Sequence, residues 1–256
     1  MLGTIIGDIV GSPYEFHNYR SKLFEPLFHP SARFTDDTVC TVAVAEAILN
    51  AVHPEDSLVR WCRAYAENGG WGKRFALWFM ADERTAYDSW GNGAAMRVSP
   101  VGFLAQTEDQ VVEWSDQVSG VTHSHPEALA SAQAVALSVF WARKKINADE
   151  IRSRVTARYG YVLDTPLEDI RATYVRTERA IDSVPQAINC ALQATSFEDA
   201  IRSAVSIGGD SDTIAAIAGG IAEAMFGLPD EVAAQAWRYL PEEMQAVVRS
   251  FYLRAI

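Results

Sequence analysis

Val39-Cys40-Thr41-Val42-Ala43-Val44-Ala45-Glu46-Ala47-Ile48-Leu49 and Ile214-Ala215-Ala216-Ile217-Ala218-Gly219-Gly220-Ile221-Ala222-Glu223-Ala224-Met225-Phe226 are apolar around nearly their whole circumference and carry one Glu each. A helix without a polar face has to be enclosed by neighbours, so both stretches are predicted as central helices. Their many small residues let other backbones approach closely. Outward from this pair the periodicity stays helical. Over residues 107–120, Val111, Trp114 and Val118 recur at i, i+3 and i+7, behind the acidic first turn of Glu108 and Asp109. Ser196 and Asp199 form a capping-box-like start to a helix that buries Ala200, Ile201, Ala204 and Val205. Pro126, Pro229 and Pro241 each stand where a first helical residue is expected, and the helix after Pro241 carries Met244, Val247, Val248 and Phe251 on one face. No run of alternating β-branched residues competes with this pattern, so the sequence predicts an all-α, bundle-like architecture over residues 1–256 as one domain. Two long segments, 17–34 and 69–93, read as loops, and the second is rich in aromatics. Loops of that length in a compact domain are often binding elements.

Composition narrows the function class. The chain has 256 residues, 49% of them hydrophobic, enough for a sizeable core. A net charge of -11 without any basic run argues against an extended nucleic-acid-binding surface. No stretch reaches the length of a membrane span, and Asp8 and Glu15 break the start of the chain where a cleaved signal would stay uncharged. Cys40, Cys62 and Cys190 are odd in number, far apart and lack zinc-site spacing, which leads to the expectation of a reducing, cytoplasmic setting.

Immediately before the two central helices stand Phe34-Thr35-Asp36-Asp37-Thr38 and Gly208-Gly209-Asp210-Ser211-Asp212-Thr213. Helix capping accounts for one such turn, because Asp and Thr are favoured at N-termini and a carboxylate gains from the helix dipole. The pair asks for more. A cap needs one oxygen, yet Asp36, Asp37, Asp210 and Asp212 bring four carboxylates to the ends of enclosed helices, with Arg33 the sole cation nearby in sequence. Burying unpaired carboxylates is costly, and a divalent cation removes that cost. Hydroxyl and carboxylate ligands favour Mg²⁺ or Mn²⁺ over zinc. If the two turns face each other across paired central helices, they could hold two ions about 3.5 to 4 Å apart, as binuclear hydrolytic sites do.

Weaker candidates have two readings each. Glu15 is an exposed loop acid or a cleft acid. The stretch Gly91-Asn92-Gly93-Ala94-Ala95-Met96-Arg97 is a turn leading into a helix, or a phosphate cradle built from Gly amides at that helix's start. His123 and His125 precede a helix and serve as caps or as ligand contacts, and Trp90 is core or a stacking surface.

Taken in order, Gly7-Asp8-Ile9-Val10-Gly11-Ser12-Pro13-Tyr14-Glu15-Phe16, the two acidic turns, Ser89-Trp90-Gly91-Asn92-Gly93-Ala94-Ala95-Met96-Arg97 and Thr122-His123-Ser124-His125-Pro126 resemble the ADP-ribosylglycohydrolase family, which includes the glycohydrolase that reactivates dinitrogenase reductase. The resemblance implies an all-α, multi-helix orthogonal bundle with two Mg²⁺ or Mn²⁺ ions, cleaving the α-linked bond between ADP-ribose and an acceptor and releasing free ADP-ribose. It implies metal ligands at Thr35, Asp36, Asp37, Asp210, Asp212 and Thr213, and catalytic roles for Glu15, Asp36, Asp37 and Asp210. Substrate contacts are implied at Asp36, Ser89, Trp90, Gly91, Asn92, Gly93, Met96 and His123. The chain is short for this family, which implies trimmed loops. A second enzyme class, a binuclear phosphoesterase or nucleotide pyrophosphohydrolase, suits the same acidic residues, whereas the complete acidic set argues against the other alternative, a non-catalytic ADP-ribose binder.

Overall fold

The computed structural model describes residues 1–68 and 70–255. Fourteen α-helices and a 3₁₀ turn at Ala66–Asn68, with no β-strand, form the regular structure among the described residues. In chain order they are α1 (Leu2–Gly11), α2 (Asp36–Asn50), α3 (Pro54–Ala64), α4 (Lys73–Met80), α5 (Ser99–Leu104), α6 (Glu108–Gly120) and α7 (Pro126–Arg143). Then follow α8 (Ala148–Tyr159), α9 (Leu167–Thr173), α10 (Ala180–Leu192), α11 (Phe197–Ser206), α12 (Ser211–Phe226), α13 (Asp230–Trp237) and α14 (Glu242–Ala255).

The helix α12 is the axis of the bundle. Every residue from Ser211 to Ala224 is buried, and α1, α7, α10 and α11 pack around it. Its widest contact is with α1. A Cβ added at Gly3, Gly7 or Gly11 would lie 2.3 Å from Gly219 O, 2.0 Å from Ala215 O and 2.5 Å from the Asp212 Cα, respectively. Spaced four apart, these glycines form one stripe on α1 against which the α12 backbone rests. The two Glu residues of the apolar stretches are both satisfied. Glu46 accepts from Ser57 Oγ and Trp61 Nε1 on α3, and Glu223 accepts from the Gly3 amide and the Tyr252 hydroxyl.

Several expectations are corrected. The pairing of central helices is α1 with α12, whereas α2 lies against α1 and α3 and meets α12 only slightly; the glycine stripe decides this, because α2 has no comparable groove for a backbone. Gly69, the first residue of the loop expected at 69–93, lies outside the described residues, and that segment contains α4, which buries Phe75, Trp78 and Phe79. Pro126 opens α7 as expected, whereas Pro229 is the N-cap of α13 and Pro241 immediately precedes α14. Residues 92–97 form turns, and the next helix starts only at Ser99, so the Gly91-Asn92-Gly93 amides do not open a helix. The Asn92 amide instead donates to Glu178 O, which pulls this stretch toward the segment before α10. Ser196 caps α11 through the Asp199 amide, as predicted.

Candidate functional site

Neither acidic turn caps its own helix. Thr35 and Asp210 hold the N-cap positions of α2 and α12, and neither makes a side-chain cap hydrogen bond. Capping of α2 comes from another helix. Asp8, fully buried on α1, accepts from the Thr35 amide at 2.8 Å, the Thr38 amide at 3.1 Å, Thr35 Oγ1 at 2.6 Å and Thr38 Oγ1. These four bonds use most of the lone pairs of Asp8 and lash α2 to α1. Sequence reading gave Asp8 no role. The available signal was a lone Asp within an otherwise apolar run from Leu2 to Val10.

The lashing brings the two acidic turns together. Asp37 Oδ2 accepts from Thr213 Oγ1 at 3.3 Å and lies 3.4 Å from Thr35 Oγ1, while Asp37 Oδ1 is buried with no partner among the described residues. Carboxylate oxygens of Asp8, Asp37 and Asp212 lie within 4.8 Å of one another, and so do those of Glu15, Asp210 and Asp212. Asp212 is common to both groups. Burial, and after it the neighbouring Asp8, Asp36 and Asp210, pushes the Asp37 carboxyl well above the usual carboxylate range. Burial followed by Asp37 and Asp210 does the same to Asp212, and burial, Cys40 and Asp212 to the half-buried Asp36. Arg33, the cation nearest in sequence, is exposed.

Asp36, Asp37, Asp210, Asp212 and Thr213 line a cleft of about 630 Å³ together with Glu15, Ser89, Trp90, Gly91, Asn92, Gly93, Met96 and His123, so the expected site residues that face open space share one cavity; Thr35 is not among its lining residues. Trp90 is 49% exposed, which excludes a core role. Asn92 is buried and spans the wall, donating to Asp210 Oδ2 at 2.7 Å and to Ser183 Oγ at 3.3 Å. His123 is buried beside Gly93 with its Nδ1 2.7 Å from Thr122 Oγ1. Burial, helped by Arg97, holds it well below the usual imidazole range, so it is neutral at pH 7. His125 is a cap, its Nδ1 accepting from the Glu127 amide.

Four cations reach the cleft, and one of them, Arg176, comes from a segment the sequence did not single out. Lys73 and Arg74 line it from the start of α4, and Arg97 from the turn after Met96. Arg176, between α9 and α10, donates to Glu15 Oε1 at 2.9 Å and lies 3.6 Å from Asp210 Oδ1. Burial raises Glu15 above the usual carboxylate range, Asp210 adds to this and Arg176 opposes it.

Comparisons with known proteins give the family and the fold. The ADP-ribosylglycohydrolase family profile matches residues 1–254. A protein of Archaeoglobus fulgidus described as uncharacterized is 30% identical, with 90% of this chain and 88% of that one aligned. The ADP-ribosylarginine hydrolase Tri1 of Serratia proteamaculans is 28% identical over 89% of this chain and 70% of its own. The human ADP-ribosylhydrolase ARH3 is 25% identical over 89% and 84%. Among solved structures, an ADP-ribosylglycohydrolase-related protein complex superposes with a TM-score of 0.74 over 100% of this chain and 96% of that one, at 23% identity, and so shares the fold. With a family match over almost its whole length, the chain belongs to the ADP-ribosylglycohydrolase family of hydrolases.

Proposed function

We propose that this protein releases ADP-ribose from an ADP-ribosylated acceptor in a divalent-cation-dependent reaction at the cleft between Asp37, Asp212 and Trp90. The observation that carries this reading is Asp37 Oδ1, buried beside carboxylates from three helices and without a partner among the described residues, in a residue that lines the cleft. An oxygen acceptor without a donor, in an all-oxygen setting, fits a hard cation. The residues suited to hold Mg²⁺ or Mn²⁺ are Thr35, Asp36, Asp37, Asp210, Asp212 and Thr213, and the closeness of Asp212 to Asp37 on one side and to Asp210 on the other fits a pair of ions. When bound, such ions supply positive charge that neutralises the carboxylates and polarises ribose hydroxyls and water.

The chain's own groups do the rest. Asp8 keeps Thr35 and the first turn of α2 in place, so the ligand set is preorganised by hydrogen bonds outside it. Trp90 offers an exposed ring to the adenine, and neutral His123 and Asn92 order the wall between adenosine and ribose. Glu15, raised by burial and close to Asp210 and Asp212, moves a proton at its carboxyl while positive charge develops at the anomeric carbon. Tri1 and ARH3, similar over most of this chain, carry names that describe ADP-ribosyl hydrolysis, which supports the same reaction here.

The test is product analysis on a panel of defined conjugates: ADP-ribosyl-arginine, ADP-ribosyl-serine, a nucleic-acid conjugate and a small-molecule conjugate. Free ADP-ribose appearing with Mg²⁺ and not with EDTA is the expected result, and the conjugate consumed identifies the acceptor. AMP and ribose phosphate as products would overturn the reading in favour of pyrophosphate cleavage. ADP-ribose binding with no turnover of any conjugate would reduce the protein to a binder.

A further inference from the structure

The segment 174–179, between α9 and α10, gives Arg176 and Glu178 to the cleft lining and contacts Glu15, the Asp210 turn and the Trp90 stretch. Arg20 donates to the carbonyls of Arg171, Tyr174 and Ile207, pinning the start of this strap. Tyr174 packs on the acidic turn so closely that a Cβ at Gly209 would lie 2.6 Å from its ring; Gly209 has φ +80°, a conformation that favours glycine. At the far end, Glu178 O accepts from the Asn92 amide, Arg179 bridges Gly91, and the Ala180 amide donates to Trp90 O. The strap is thus fixed to the Asp210 turn at one end and to the Trp90 wall at the other.

Between these anchors, the Arg176 guanidinium makes four contacts. It donates to Glu15 Oε1 at 2.9 Å and to Glu178 Oε1 at 3.3 Å, lies 3.6 Å from Asp210 Oδ1, and sits over the Phe16 ring at 5.0 Å. Glu15 and Phe16 themselves belong to a long loop, and Phe16 is 73% exposed. Among the described residues, no side-chain hydrogen bond other than that of Arg176 links Glu15 to the strap.

We propose that Arg176 is a positioning residue: its guanidinium ties Glu15 and Phe16 to the fixed strap and so holds the Glu15 carboxyl against Asp210 and Asp212. An ion pair whose arginine reaches solvent contributes little to stability, so the worth of this one is geometric. Arginine suits the task because its planar fork serves Glu15 and Glu178 from different nitrogens while its face covers a ring. A lysine offers a single point charge and holds one partner at a time. The inference rests on the proton-moving role proposed for Glu15, and its test separates the two.

The crystal structure of Arg176→Ala in the presence of Mg²⁺ is expected to show Glu15 swung away from Asp210 and Asp212 with the strap unmoved; Glu15 unmoved would overturn the proposal whether or not the chain turns over any conjugate. On the conjugate that the wild type consumes, Arg176→Ala is expected to lower kcat by about 10- to 100-fold with KM little changed, the scale of a misplaced proton-transfer group. Arg176→Lys should fall between Arg176→Ala and wild type. In a Glu15→Gln background, Arg176→Ala should cost nothing further, because both changes remove the same positioned carboxyl. A raised KM at unchanged kcat, or full additivity with Glu15→Gln, would overturn the proposal and make Arg176 a substrate-binding cation. Loss of wild-type turnover on every conjugate would instead count against the proposed function, while the crystal structure still decides the position of Glu15.

Discussion

Asp37 presents one oxygen to threonine hydroxyls and the other to no partner among the described residues, in a pocket where Asp8 and Asp36 repel it. A buried, repelled carboxylate destabilises a metal-free fold and serves a metal-bound one. Asp37→Ala is therefore expected to abolish ADP-ribose release while leaving the melting temperature in EDTA equal to or above that of wild type. A large drop in that temperature would make Asp37 a structural residue. Trp90 gives the complementary case. With half its surface exposed, it has little core packing to lose, so Trp90→Ala should weaken ADP-ribose binding by about 1 to 3 kcal/mol, the range for base stacking on an aromatic ring. Calorimetric affinity and denaturant unfolding of the same variant check this, and unchanged affinity would remove Trp90 from the site.

At the scale of helices, the site depends on how closely α1 and α12 approach. Asp8 sits on α1 one residue from Gly7, and Asp212 opens α12 against Gly11. A methyl group at Gly7 would meet Ala215 O at 2.0 Å, a backbone atom that cannot rotate away, so the helices have to separate. Gly7→Ala is expected to lower stability by about 1 to 3 kcal/mol, as overpacking of a close-packed core does. It should also reduce the melting-temperature gain produced by Mg²⁺, because Asp8 and Asp212 move apart with their helices. Equal Mg²⁺ gains in Gly7→Ala and wild type would show that the acidic cluster does not depend on this crossing.

The whole molecule carries a net charge of -11 and concentrates raised carboxyls at one buried point. A carboxyl raised in the folded state binds its proton more tightly there than in the unfolded chain, where its pKa is about 3.9. Its contribution to stability is full below that value and is lost as pH rises through the raised folded value. In EDTA, the stability of the wild type relative to Asp37→Asn should accordingly fall as pH rises above about 4, the unfolded carboxylate range. Mg²⁺ bound as proposed should reverse the trend and add about 2.7 kcal/mol at a hundred times its Kd. Melting curves over this pH range with EDTA or Mg²⁺ check both signs, and a wild-type advantage over Asp37→Asn that grows with pH in EDTA would contradict the crowded-carboxylate picture.

Much of this was legible in the sequence because it depends on local pattern. Apolar residues on every face of 39–49 and 214–226 require enclosure wherever those helices lie, and an acid-rich turn before each is visible at a fixed offset. The ordered motifs carried the family. Tertiary structure alone decided which helix pairs with α12, since the α1 stripe acts only through the atoms it meets across the interface. It alone decided that Asp8 caps α2 from another helix, because capping read along a chain looks only at adjacent residues. The same holds for Arg176: 161 residues separate it from Glu15, no periodicity links the two, and only the folded path of the strap between α9 and α10 brings its charge to the carboxylates.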